Sequence, residues 1–264
     1  MKRFLFGDVR SSVGICLGCA LALATLVRAD APTAAEIAER GQRNTALRYS
    51  DVQTRVRMVL TAADGKRRER ALDVIGRVKD GTYQSVVRFL APQDVAGTAF
   101  LMIERGHDSE QYLYLPSIKR TRRIVARERD ASFMSSDFSF ADLQGIASKD
   151  ASHKRLADDK IGNDACYVIE SSVLPSANVS YGKLVAWIRQ SDFIALRTRF
   201  FDPSGQLLKT LYTRRIRSIG GTPFVMEARM QAERTKHMTE LFVDSIEMRR
   251  DLSDAEFTPT ALEH

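Results

Sequence analysis

Ala99-Phe100-Leu101-Met102-Ile103-Glu104-Arg105, followed after a short gap by Gln111-Tyr112-Leu113-Tyr114-Leu115, is the stretch whose reading decides the fold. In both runs the two alternating sets are apolar: Phe100 and Met102 against Leu101 and Ile103, then Tyr112 and Tyr114 against Leu113 and Leu115. A strand with one wet face has no use for this pattern. These strands are therefore expected to be central and covered on both sides.

The period of two continues outward in both directions. Upstream, Thr54, Val56, Met58 and Leu60 alternate with Arg55 and Arg57, and Ala62-Ala63-Asp64-Gly65 then turns the chain. Leu72, Val74 and Val78 alternate with Asp73 and Arg77 before Asp80-Gly81, and a short strand at 85–90 precedes the quoted stretch. Downstream come a basic strand around 120–125 and further strands at 154–161, 166–174, 183–189, 195–201, 207–219, 224–233 and 237–249. Asn163-Asp164, Asp202-Pro203-Ser204-Gly205 and Gly220-Gly221 supply turns between them. Ten or more strands at hairpin spacing, with no helices between them, predict a mainly β fold built as one antiparallel meander.

Two segments interrupt the alternation. Over 34–47 a helix is expected, with Thr33 as N-cap and Glu36 three residues on, covering one edge of the sheet. Over 129–148 small, acidic and aromatic residues mix, including Ser132-Phe133-Met134-Ser135-Ser136-Asp137-Phe138-Ser139-Phe140-Ala141-Asp142-Leu143. That is too apolar for an exposed loop, so the segment is expected to fold back over the sheet as a lid. Ser139 is placed to cap a short helix, with Asp142 at its third position.

The N-terminus has the three zones of a secretory signal: Lys2, Arg3 and Arg10, then an apolar run over 13–27, then Val27-Arg28-Ala29 before Asp30. About 15 apolar residues fall short of the ~20 that span a bilayer, and no basic stop-transfer cluster follows. A lipidated Cys19 is the other alternative, with Cys16-Leu17-Gly18 before it a poor lipobox. Residues 1–29 are thus read as a cleavable signal peptide, and 30–264 as a single domain in the cell envelope. Cleavage removes four positive residues and one negative, taking the formal charge from +7 to +4. Cys16 and Cys19 leave with it, so Cys166 remains alone and no intramolecular disulfide is possible.

The inventory offers little for catalysis. His107, His153, His237 and His264 lie far apart and none has an i, i+4 partner for zinc; no G-x-S-x-G, Walker or G-x-G-x-x-G motif is present. No enzyme activity, metal or cofactor is expected. The mild net charge of an exported chain argues against nucleic acid. Seven methionines of the mature chain suit surfaces that accept variable apolar ligands, while Trp187, the only tryptophan, reads first as core. The basic run Lys119-Arg120-Thr121-Arg122-Arg123 has two readings: Arg120, Arg122 and Arg123 docking an acidic partner or anionic headgroups, or an edge defended by charge.

Several blocks together resemble one family: Arg88-Phe89-Leu90-Ala91-Pro92, Gly97-Thr98-Ala99-Phe100-Leu101, Tyr112-Leu113-Tyr114-Leu115-Pro116, Arg122-Arg123-Ile124 and the 132–143 segment. In combination they are similar to the outer-membrane lipoprotein-sorting proteins, a LolA-like group. The resemblance implies an incomplete antiparallel β-barrel of about eleven strands, closed on its concave side by short helices and holding acyl chains. It further implies a periplasmic carrier of lipid, lipoprotein or another hydrophobic ligand, with an RND-type or MMPL-type exporter as a possible partner. The expected ligand contacts are Phe100, Met102, Tyr112 and Tyr114 on the sheet, with Phe133, Met134 and Phe138 on the lid. The alternative is a non-catalytic envelope scaffold or transporter accessory that carries nothing.

Overall fold

Fourteen strands follow the period-two segments in the computed structural model, which describes residues 1, 31–43, 48–106, 108–249 and 251–264. The expected signal peptide falls, beyond residue 1, outside the described residues, as do His107 and the last four positions of the expected N-terminal helix. That helix, α1, spans Ala34–Arg43. Thr33 Oγ1 accepts from the Glu36 amide at 3.3 Å and the Thr33 amide donates to Glu36 Oε2 at 2.8 Å, the reciprocal cap its sequence predicts.

The first six strands are β1 (Val52–Thr61), β2 (Arg67–Lys79), β3 (Thr82–Ala91), β4 (Ala99–Arg105), β5 (Asp108–Leu115) and β6 (Arg120–Arg123). The other eight are β7 (Ala151–Arg155), β8 (Asp159–Ile161), β9 (Asp164–Val173), β10 (Lys183–Arg189), β11 (Ala195–Phe201), β12 (Leu207–Ile219), β13 (Thr222–Ala232) and β14 (Met238–Met248). The count exceeds the expected eleven partly because 154–161 is two strands rather than one. The regular pairing is interrupted over Leu156 to Asp158, although the Leu156 amide still donates to the Val168 carbonyl of β9 at 2.8 Å, and both strands pair with β9. Tight hairpins set register where the sequence marks them. Asp80 and Gly81, at φ 50° and 71°, join Lys79 to its partner Thr82, the left-handed geometry of a primed two-residue turn.

All pairings are antiparallel, in the order β6-β5-β4-β3-β2-β1-β14-β13-β12-β11-β10-β9-β7, with β8 beside β9. β1 pairs with β14 along its whole length, so the two halves of the chain are spliced in the middle of the sheet. The two free edges are then β6 and β7, consecutive in sequence. The segment between them has to travel from one open edge to the other, and this topology makes it a lid. The sheet is an open, barrel-like surface of the expected incomplete-barrel class.

One face of the sheet carries the main core, including Val56, Met58, Leu72, Val87, Phe89, Phe100, Met102, Met226, Met230 and Leu241. Phe133, Phe138, Phe140 and Ile146 of the lid are buried within that core. Behind β3 and β4, the opposite face is covered by the C-terminal segment. Leu252, Phe257 and Leu262 pack on Val86, Ala99 and Leu101, with Tyr112 and Tyr114 at the margin. Arg77 Nη1 donates to the Leu252 carbonyl at 2.8 Å, and Arg88 donates to the carbonyls of Ala261 and Leu262. The central stretch is thus buried on both sides, by the lid within and the C-terminus without. Among the described residues no helix is long and apolar enough to cross a membrane.

Candidate functional site

The lid begins with a tight turn over Phe133–Ser135, in which Met134 and Ser135 take left-handed φ of 52° and 60°, and continues into α2, Phe140–Gln144. α2 starts where the capping pattern places it. Ser139 Oγ accepts from the Asp142 amide at 3.2 Å, and Asp142 Oδ2 accepts from the Ser139 amide at 2.7 Å. The first turn is anchored by aromatics. Phe133 meets Phe100 at 5.3 Å and Phe89, Phe140 at 5.7 Å between ring centroids. Arg70 donates to the Met134 carbonyl.

Two carboxylates tie the lid to the far half of the sheet. Asp137 accepts from Thr239 Oγ1 at 2.6 Å and lies 2.8 Å from His237 Nδ1. Asp142, whose side chain is 3% exposed, forms an ion pair with Lys209 of β12 and accepts from Tyr181 Oη at 2.9 Å. Lys209 Nζ also donates to the Asp137 carbonyl at 3.0 Å. Burial, reinforced by the adjacent Asp142 charge, holds the Tyr181 phenol far above its ordinary range, so it remains a neutral donor. A buried ion pair of this kind contributes less net stability than its geometry suggests, but losing one partner strands a charge.

Beside these latches a cavity of ≈ 90 Å³ lies between α1, α2 and strands β9 to β12. The strands contribute alternate residues: Leu184, Ala186 and Ile188 from β10, Ile169 and Ser171 from β9, and Phe200 and Leu211 beyond. Small residues make the room. Ala186 and Ala195 lie in the floor, and at Gly41 of α1 a Cβ would stand 2.8 Å from Ile188 Cδ1. Ser171 Oγ is 2.8 Å from His153 Nδ1, and burial pushes the His153 pKa down. The arrangement can shelter an apolar chain segment and offers a few polar contacts at its rim. Among the described residues no group of three or more His, Cys, Asp or Glu could hold a metal ion.

Phe100, Met102, Phe133 and Phe138 are brought together, but as solid core beneath the lid. Met134 packs at the margin of that core. Tyr112 and Tyr114 look the other way, towards the C-terminal segment, because alternation puts them on the face opposite Leu113. None of these seven lines the cavity. Arg120, Arg122 and Arg123 form the edge strand β6. Arg122 donates to Glu128 Oε1 at 2.8 Å, Arg123 stands 4.0 Å from Glu110, and Arg120 is exposed. The cavity wall and the latches were missed from sequence. A lone lysine in the apolar run Leu207-Leu208-Lys209 was the available sign of a buried ionic contact.

Residues 81–264 match a family model described as an uncharacterised protein. An outer membrane lipoprotein-sorting protein domain from Vibrio parahaemolyticus has a similar structure, with TM-score 0.79 and 27% identity over 88% of this chain and 98% of that one. The chain belongs to the family of that model, and its fold is LolA-like. A DUF1329 family protein from Desulfovibrio piger is also similar, at TM-score 0.78 and 26% identity over 87% of this chain and 97% of that one. A LolA superfamily protein from Nitrosomonas europaea shares the fold, at TM-score 0.65 and 22% identity over 86% and 98% of the two chains. No curated protein sequence matches the chain.

Proposed function

We propose that this protein is a periplasmic carrier that shelters an apolar chain, from a lipid or a lipoprotein, on its way between the inner and outer membranes. The observation that carries the reading is the cavity between α1 and α2, roofed by a segment held to the sheet through Asp137 and Asp142. The lipoprotein-sorting description of the Vibrio parahaemolyticus domain and the signal-like zones of the N-terminus support the same compartment and cargo class.

No covalent step is needed. A cavity of ≈ 90 Å³ admits only part of a long chain, so loading displaces the lid and the phenylalanines it inserts into the core. Exposing Phe133, Phe138 and Phe140 costs between about 5 and 9 kcal/mol, at about 1.5–3 kcal/mol each. Burying a dozen methylenes returns about 10 kcal/mol, at about 0.8 kcal/mol each, before ordering costs. The two quantities are close. Cargo and lid aromatics therefore compete for one face with little net gain, which keeps loading reversible, as a carrier requires. Arg120, Arg122 and Arg123 on the open edge are proposed to meet an acidic surface of an inner-membrane exporter of the RND or MMPL type.

A second reading is favoured by the lid aromatics filling the concave face: an envelope interaction protein that carries nothing. Native mass spectrometry of the mature protein purified from its own periplasm separates the two. Co-purifying, exchangeable lipid supports the carrier, and a protein that never holds or takes up lipid supports the scaffold.

A further inference from the structure

The apolar cavity has a polar neighbour. A second cavity of ≈ 80 Å³ lies on the other side of Gln42, Gln144 and Gly145, which line both. The wall between them is closely packed at Gly145, where a Cβ would stand 3.2 Å from Gln42 Oε1 and a φ of +81° favours glycine, so a chain joining the two cavities has to shift the Gln42 side chain. The second cavity is bordered by charged side chains that already hold one another. Arg48 pairs with Glu104, Arg43 with Glu39, and Asp108 lies 3.6 Å from Lys149. Two buried polar atoms at the same place have no hydrogen-bond partner, Gln144 Oε1 and Ser109 Oγ. A buried, unpaired acceptor is costly, and a ligand hydroxyl would satisfy it.

We infer that the two cavities form one site for the head and first carbons of a single-chain amphiphile with an uncharged, hydroxyl-bearing head, the head against Ser109 and Gln144, which keep their places while the lid's first turn yields to the rest of the chain. This deepens, and rests on, the carrier reading above. A phosphate head would meet the carboxylates of Glu39, Glu104 and Asp108, while the largely buried Arg48 is already paired with Glu104 and Arg43, 67% exposed, is screened by water. A hydroxyl head needs no counter-charge. It can donate to Gln144 and either donate to or accept from Ser109.

The test is displacement of a fluorescent fatty-chain probe from the purified mature protein by twelve-carbon amphiphiles that differ only in the head: monolaurin, dodecyl phosphate and dodecylammonium. Monolaurin is expected to displace the probe at least about tenfold more tightly than either charged competitor, a gap of about 1.4 kcal/mol. In the Ser109→Ala/Gln144→Leu variant that preference should disappear. Equal affinities, a preference for a charged head, or a preference that survives in the variant overturns the head assignment and leaves the carrier reading standing. Failure of the probe and of every amphiphile to bind overturns both.

Discussion

Replacing Lys209 with Met removes the ammonium that faces Asp142 and lies 5.4 and 5.5 Å from the Tyr181 and Phe200 ring centroids, and keeps most of the aliphatic stem. The two side chains are 12% and 3% exposed, so the pair is desolvated. Stripping one partner from a buried pair typically costs 3–5 kcal/mol. Here Asp142 keeps hydrogen bonds from Tyr181 Oη and the Ser139 amide, which places the loss near the low end, about 3 kcal/mol. If the pair acts as a latch, that free energy appears in lid opening, whose equilibrium constant rises by a factor of more than about one hundred. Hydrogen exchange measures it directly: amides over 133–144 should lose protection while those of β1, β2 and β14 keep theirs. Adding Asp142→Asn removes the stranded charge and should recover part of the loss, because the two sites are coupled. Unchanged protection of the lid in Lys209→Met would refute the latch. So would a loss spread evenly over the sheet, because the pair would then be a general stabiliser.

Three further outcomes follow from the packing and the titrating groups. Phe133→Ala should cost about 3–5 kcal/mol in urea unfolding, because the ring is fully buried against Phe89, Phe100 and Phe140. Phe257→Ala, on the outer face, should also destabilise the protein, and should loosen amide protection in β3 and β4 more than in the lid, since its neighbours are Val86 and Leu101. His153 has its pKa depressed by burial below the ordinary 6.5, so the unfolded chain takes up that proton first and stability falls as pH drops below about 6.5. Denaturant midpoints between pH 7 and pH 5 should therefore decline less steeply in His153→Gln than in the parent protein.

Much of the sheet was legible because alternation has a single physical cause. A face that meets the core must be apolar at every second residue, and β1, β2 and β11 alternate in burial accordingly. The double covering of β4 was also readable, since its two apolar sets each needed a partner surface. What the second cover was could not be read. Leu252, Phe257 and Leu262 are each five residues apart, a spacing that fits neither the period of a strand nor that of a helix, and only tertiary contact reveals them. The break between β7 and β8 was hidden for a related reason: the apolar Leu156-Ala157 continues the strand-like pattern, and nothing before Asp158 marks a loop. The lid was recognisable from composition and from the Ser139 and Asp142 cap, a local signal that survives without tertiary context. Its contacts were not, because Lys209, Tyr181, His237 and Thr239 come from segments 39 to 102 residues away from their lid partners. The assignment of Tyr112 and Tyr114 to the ligand side rested on a choice between two equally apolar faces. Nothing within β5 itself distinguishes them.

The cavity under the lid is the central claim, and photolabelling tests it most directly. A fatty acid with a diazirine at mid-chain, bound to the mature protein and irradiated, should label peptides containing residues 141–146 and 184–188, in competition with unlabelled fatty acid. Labelling confined to the outer face around Tyr112, Tyr114 and Leu262, or labelling that unlabelled fatty acid does not suppress, would contradict a carried chain beneath the lid.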